Sequence, residues 1–189
     1  MQTYYDTGTL VPLYVKEVFS NAVLNHVESC NEVIPLNLFQ QLELENALRL
    51  KVFRGELDDG RCLAVLNKIR SHLAEGKLSL RAVNWVNALE EARRLAAQAT
   101  GRWGCRTLDL VHVAVAVQWR CAMFVTADDR QLKAARSAGL KTVDVRALGR
   151  KDQPGGAESG APAGVVREQR ARYGARKKPR HPKETALTT

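Results

Sequence analysis

The sequence predicts an α/β protein, a three-layer α/β/α sandwich around a central, mainly parallel sheet, and three observations carry that expectation. Short β-branched or aromatic segments alternate with longer segments of helical periodicity along most of the chain. Apolar residues make up 45% of the 189 positions, enough for the core of one domain of about 150 residues with an appendage. Two of the short segments run directly into acidic residues, Asp6 and Asp128, and in such folds ligands bind at the carboxyl ends of the strands.

Taken in order, Gln2 to Asp6 reads as a first strand carrying Tyr4 and Tyr5 and stopping at the polar cluster Asp6-Thr7-Gly8-Thr9. A helix follows through Leu10, Leu13 and Tyr14, with Pro12 tolerated in its first turn. Val18 to Glu28 places Val18, Ala22, Val23 and Val27 near helical spacing, and Val33-Ile34-Pro35-Leu36 is a second short strand. Leu38 to Phe53 sets Phe39, Leu42, Leu44, Ala47, Leu48 and Val52 along a broad helical face that Gly55 ends. Asp58 and Asp59 are caps for a helix running to about Ala74. Lys77 to Leu80 is either a short strand or an extended linker. Trp85 to Ala99 forms a helix with Leu89, Ala92 and Ala96 inward, interrupted by Gly101 and Gly104. Thr107 is the expected N-cap of a helix through Gln118. Ala122 to Thr126 is an apolar strand ending at Asp128, followed by a helix from Asp129 to Ser137 with Gly139 at its C-terminal cap and a last strand from Lys141 to Val145.

Past Leu148 the composition changes. Residues 149–189 form a basic tail containing Asp152-Gln153-Pro154-Gly155-Gly156 and the run Arg176-Lys177-Lys178-Pro179-Arg180, a composition expected to be disordered. From 150 onward it holds ten Lys and Arg against four acids, so most of the net charge of +9 lies there. Such a tail suits either phosphate contacts with RNA or a simple solubilising extension. Cys30, Cys62, Cys105 and Cys121 are widely spaced, without a C-x-x-C pair or the ligand spacing of a zinc site, and read as buried free thiols of a reducing compartment. No apolar run approaches the roughly 18 residues of a membrane helix, and Met1-Gln2-Thr3-Tyr4-Tyr5-Asp6 does not resemble a signal peptide. The expectation is a soluble, cytoplasmic chain with no membrane partner.

Four carboxylates are the candidates for chemistry. Asp6 and Asp128 lie just past strand ends, Glu43 lies on the helix after the second strand, and Asp109 lies in the first turn of the helix through Gln118, where its charge suits the positive helix terminus. Singly, each has an ordinary structural explanation as a cap or a solvated acid. Brought together they would repel one another unless a cation neutralised them, and hard oxygen donors without thiolates select Mg²⁺ or Mn²⁺. Such a cluster points to phosphate chemistry.

Four segments in this order, Tyr5-Asp6-Thr7-Gly8-Thr9-Leu10, Glu43-Leu44-Glu45-Asn46-Ala47-Leu48, Leu108-Asp109-Leu110-Val111-His112-Val113-Ala114 and Phe124-Val125-Thr126-Ala127-Asp128, resemble the PIN-domain ribonucleases, especially the VapC-type toxins of prokaryotic toxin–antitoxin pairs. The resemblance covers about residues 1–147 and implies a PIN-like nuclease domain over 1–148. It implies that Asp6, Glu43, Asp109 and Asp128 hold one or two Mg²⁺ or Mn²⁺ ions and that RNA phosphodiesters are hydrolysed to 5′-phosphate and 3′-hydroxyl ends. It also implies a cognate antitoxin covering the cleft and a homodimer, for which Leu13, Val23 and Leu66 are candidate apolar contacts.

Thr126 is similar to the family's hydroxyl at this strand end, placed to orient a carboxylate or a water, and Thr7 is either a second such hydroxyl or a cap. Gly8 departs from the family, where Ser is usual, and removes one hydroxyl from the expected support of Asp6. Glu45 competes with Glu43, which the family alignment favours, and Asp129 competes with Asp128, which its strand-end position favours. His112, on the same helix face as Asp109, reads as a packed, hydrogen-bonded residue rather than a metal ligand. Arg106, one turn before Asp109, either pairs with it or touches substrate phosphate.

Two other classes stand beside the endoribonuclease. A non-catalytic PIN-fold module that binds RNA or a partner is favoured by Gly8 and the basic tail. A haloacid-dehalogenase-like phosphatase would use Asp6 in its nucleophile loop, but that loop needs a second Asp where Gly8 stands.

Overall fold

The computed structural model describes residues 2–151, with five short strands: β1 Thr3–Tyr5, β2 Ile34–Leu36, β3 Leu78–Leu80, β4 Met123–Thr126 and β5 Lys141–Asp144. β4 lies between β1 and β5, β2 pairs with β3, and each of these pairings is parallel. β1 runs beside β2. The Tyr5 carbonyl is satisfied by the Gln40 side chain, whose Nε2 donates to it at 2.7 Å.

The helices are α1 Thr7–Leu10, α2 Ser20–Cys30, α3 Leu38–Phe53, α4 Asp59–Ala74, α5 Trp85–Trp103, α6 Thr107–Gln118, α7 Asp129–Ser137 and α8 Val145–Lys151, with a 3₁₀ turn at Val11–Leu13. Strand alternation divides them into two layers. Tyr4 of β1 and Phe124 of β4 pack into a core with α5, α6 and α7, while Tyr5 and Val125, one residue on, pack into a second core with Leu10, Val23, Leu44, Leu48, Leu66 and Val145. The sheet therefore has helices on both faces, and the α/β/α sandwich expected from the sequence is the observed fold. Among the described residues, no helix is long and apolar enough to cross a membrane.

Several local expectations are corrected. β1 stops at Tyr5, because Asp6 leaves the strand to cap α1. The helix expected through Tyr14 is instead α1 followed by a 3₁₀ turn with Pro12 at its start, where the missing N–H costs no helical bond. Val18 does not join α2 and is 92% exposed; the Ser20 hydroxyl, which donates to the Pro12 carbonyl and accepts from the Glu17 N–H, holds the preceding segment as a loop. Leu42 and Leu89, expected inward, are 66% and 50% exposed, whereas Leu44, Leu48, Ala88 and Ala92 are buried.

Gly101 stays inside α5, and the helix ends only at Gly104, whose φ of +66° is the left-handed geometry of a helix stop. Arg106, not Thr107, occupies the N-cap of α6. Lys77 to Leu80 resolves as a strand, since Leu78 to Leu80 pair with β2. Val145 begins α8 rather than ending β5, and α8 passes the expected domain boundary at 148 to reach Lys151. The remainder of the expected basic tail lies outside the described residues.

Val23 and Leu66, expected on a dimer surface, are buried in the second core, and Leu13 packs against it. All four cysteines are free thiols; Cys62, Cys105 and Cys121 are buried and Cys30 is half-buried.

Candidate functional site

β1 and β4 are parallel neighbours, so their carboxyl ends open at the same edge of the sheet. A cleft of about 510 Å³ lies there, lined by Asp6, Thr7, Gly8, Glu43, Arg106, Leu108, Asp109, His112, Ala127, Asp128 and Gln131. All four acids singled out in the sequence thus share one cleft, together with Thr7 and Arg106. A larger groove of about 600 Å³, walled mainly by apolar side chains such as Leu13, Leu24, Val27, Ile34 and Leu78, lies elsewhere and gathers none of the four.

Asp6 is the N-cap of α1 and is 5% exposed. Its Oδ1 accepts from the Thr9 N–H at 2.7 Å and its Oδ2 from the Thr126 hydroxyl at 2.7 Å. Burial nevertheless outweighs these donors and the nearby His112 ring, and holds the carboxyl above the usual aspartate range. The same Thr126 hydroxyl accepts from the Asp128 N–H at 3.0 Å. Thr126, fully buried, therefore couples the two strand-end acids through one oxygen.

Glu43 enters from α3, which is started by an Asn37–Gln40 capping box. Its Oε2 accepts from the Thr7 hydroxyl at 2.7 Å and lies 2.9 Å from His112 Nε2. Burial raises its pKa, but the hydrogen bonds from His112 and Thr7 outweigh it and keep the carboxyl below the usual glutamate range. Glu45 instead points along its own helix, where Gln41 and Arg49 donate to it. Of the two competing glutamates, Glu43 is the one in the cleft.

Asp109, 9% exposed, sits in the first turn of α6. Its Oδ2 accepts from the Arg106 backbone N–H at 2.8 Å and its Oδ1 from Gln131 Nε2 at 3.4 Å. The link expected between Arg106 and Asp109 is therefore made by the main chain, and the exposed Arg106 side chain stands at the cleft.

Asp128 caps α7, its Oδ1 accepting from the N–H groups of Arg130 at 2.7 Å and Gln131 at 3.3 Å. Its Oδ2 takes a 2.9 Å bond from Arg130 Nη2. Burial acts to raise this carboxyl, but the Arg130 side chain and the cap hydrogen bonds more than offset it and hold Asp128 below the usual range. Asp129 turns away to pair with Arg146.

Each acid is thus engaged by protein donors, and among the described residues no three His, Cys, Asp or Glu side chains are gathered tightly enough to enclose an ion as they stand. The donor set still suits a hard cation. Four carboxylates line the cleft with no thiolate among its walls, Asp6 is buried where its charge is penalised, and Gln131 Oε1 is a buried oxygen without a hydrogen-bond partner. At Gly8, a Cβ would stand 3.5 Å from Asp6 Oδ2, an ordinary contact.

Gln131 and Arg130 escaped the sequence reading. Their signal was available, because a residue two or three positions after an N-cap aspartate lies over the same helix start. The partners of His112 were not legible, since they come from β1 and α3.

No protein-family model matches this chain, and no curated protein matches it.

Proposed function

We propose that this chain is a divalent-cation-dependent endoribonuclease of the VapC-like PIN type, working in the cytoplasm as a toxin held in check by a cognate antitoxin. The observation that carries this reading is the convergence of Asp6, Glu43, Asp109 and Asp128, from four separate segments, on one cleft at the carboxyl edge of β1 and β4.

Asp6, Glu43, Asp109 and Asp128 would hold Mg²⁺ or Mn²⁺. A divalent ion in such a site makes water a better nucleophile and offsets charge on phosphate oxygens. The chain's own groups supply order. Thr9 and Thr126 each hold one oxygen of Asp6, Thr7 holds Glu43, and the Arg106 N–H with Gln131 holds Asp109. Acids fixed in this way pay little reorganisation when a cation arrives. Arg106 stands at the cleft with its guanidinium exposed, suited to a substrate phosphate. A homodimer belongs to the same reading; the exposed Val86, Leu89, Phe53 and Leu63 replace the buried Val23 and Leu66 as its candidates.

The second reading, a non-catalytic PIN-fold module for RNA or a partner, draws on one observation: Arg130 already neutralises Asp128. The two separate in one experiment. Purified protein is incubated with total RNA and Mg²⁺ or Mn²⁺, alongside Asp6→Asn and Asp109→Asn. The nuclease reading expects new 5′-phosphate ends with the wild type and a loss of about 100-fold or more in either variant, in the range for removing a principal electrostatic group. Intact RNA with folded wild-type protein, or equal cleavage by the variants, would sink it.

A further inference from the structure

His112 is 3% exposed and lies between two elements that have no sequence reason to meet. On one side the Tyr4 hydroxyl is 2.9 Å from its Nδ1; on the other, Glu43 Oε2 is 2.9 Å from its Nε2. Tyr4 is fully buried, and its ring and that of Phe39 flank the imidazole, with centroids 5.9 and 5.3 Å away. The chain of contacts continues beyond Tyr4. Asn37 lies beside the Tyr4 phenol, where it offsets part of the effect of burial, and Asn37 Nδ2 donates to Gln40 Oε1 at 2.8 Å. Asn37 and Gln40 are the capping box of α3, and Glu43 is one turn further along the same helix. The path leaves α3, crosses β1 and α6, and returns to α3.

Hydrogen-bond chemistry fixes its direction. An ionised carboxylate only accepts, so Nε2 must carry the hydrogen given to Glu43. A neutral ring then has a bare Nδ1, which accepts from the Tyr4 O–H. Burial pushes the Tyr4 phenol well above its ordinary pKa, so that hydrogen is retained. We propose that Tyr4 and His112 are positioning residues for the cleft: Tyr4 fixes His112 as the Nε2–H tautomer, and His112 aims the Glu43 carboxylate at the cation. This rests on the nuclease reading for the cation, but not for the tautomer. Thr7 holds the same oxygen, Oε2, so Oε1 is the oxygen the relay leaves for a ligand.

The test pairs a spectroscopic readout with an affinity. Long-range ¹H–¹⁵N spectra of the wild type, with the His112 signals identified by their loss in His112→Gln, are expected to show the hydrogen on Nε2 and a bare Nδ1. Tyr4→Phe, which removes the hydrogen given to Nδ1 but leaves the Glu43 acceptor at Nε2, is expected to raise the share of rings with a protonated Nδ1. Mn²⁺ titration is expected to show affinity falling about tenfold in His112→Leu, the lower end for losing a group that orients a ligand, and staying within about threefold of wild type in His112→Gln, whose amide N–H can replace the Nε2–H. A protonated Nδ1 in the wild type overturns the proposal. So does wild-type Mn²⁺ affinity in a folded His112→Leu; if that variant does not fold, unchanged tautomer and affinity in Tyr4→Phe overturn it instead. Failure of the wild type to bind Mn²⁺ at all removes the cation role together with the nuclease reading, and the spectra alone then decide whether the tautomer is fixed.

Discussion

At the scale of single residues, Asp6 is the acid whose surroundings fit it least when the cleft holds no cation. Its two oxygens are hydrogen-bonded, yet burial raises its pKa above the ordinary 3.8. The sign follows from linkage: a raised folded-state pKa means the penalty is absent at pH below 3.8, grows as pH passes the unfolded value, and is complete above the folded one. At neutral pH, Asp6→Asn is therefore expected to melt no lower than wild type without metal. Adding Mn²⁺ at 100 times its Kd would stabilise the wild type by about 2.7 kcal/mol through mass action and leave the variant unmoved. Paired thermal melts with and without Mn²⁺ check both halves; a variant that melts lower without metal would contradict the burial argument.

Secondary-structure elements carry a different ambiguity, since Asp128 is both the cap of α7 and a wall of the cleft. Ser is as good an N-cap as Asp but not a carboxylate. Asp128→Ser is expected to cost about 0.5 kcal/mol or less, and Asp128→Ala about 1 kcal/mol, while both lose RNA cleavage alike. Denaturant melts beside a cleavage assay separate the two roles. A second junction is held by Arg146, whose guanidinium bonds Asp144 at the end of β5 and Asp129 at the start of α7. The Arg146 hydrogen bonds hold Asp144 below its ordinary 3.8, so their stabilisation is present above that pH and fades as acid takes the solution through the lower folded value. Arg146→Met should cost about 1 kcal/mol or less at pH 7, and the difference from wild type should narrow as the pH falls below 3.8. Urea melts at pH 7, 5 and 3 would show it; a difference undiminished between pH 7 and pH 3 would mean the loss is one of packing.

What the sequence disclosed divides along the same lines. Elements defined by local chemistry were legible: the Asp58 and Asp128 caps, the left-handed stop at Gly139 and the apolar stretch through Phe124 all lie where periodicity and capping place them. Gly104 was seen as a stop but Gly101 was overread, because tertiary packing carries a helix through a glycine that propensity alone disfavours. That Asp6, Asp109 and Asp128 line the cleft was legible from strand ends and a helix start, whereas Glu43 was separated from Glu45 only by the family resemblance. The fixing of each acid was not. Thr126 reaching Asp6, His112 reaching Glu43 and Gln40 reaching Tyr5 are contacts between residues far apart in sequence, which no periodicity encodes.

At the scale of the described fold, the cleft depends on two cores packed on opposite faces of thin strands. Phe124 is fully buried and stacks on Tyr4 with centroids 5.3 Å apart and ring planes 8° from parallel. Tyr4 also touches His112, so the first core and the cleft share a residue. Phe124→Ala is expected to cost about 3–5 kcal/mol, a large part of the 5–15 kcal/mol typical of a domain. Chemical denaturation would measure it, and a loss below about 1 kcal/mol would mean the ring is not a packing element.

The 120 residues separating Thr126 from Asp6 also have a consequence in time. During synthesis, Asp6 and Glu43 leave the ribosome long before β4 exists to pair with β1. Until then Asp6 lacks the Thr126 hydroxyl, and Asp128 has not arrived. A nascent chain halted anywhere before residue 126 carries at most three of the four acids and lacks the completed β1–β4 edge to mount them on. If the finished cleft cuts RNA, the polypeptide being made cannot attack the message that encodes it until nearly all of the described fold has emerged.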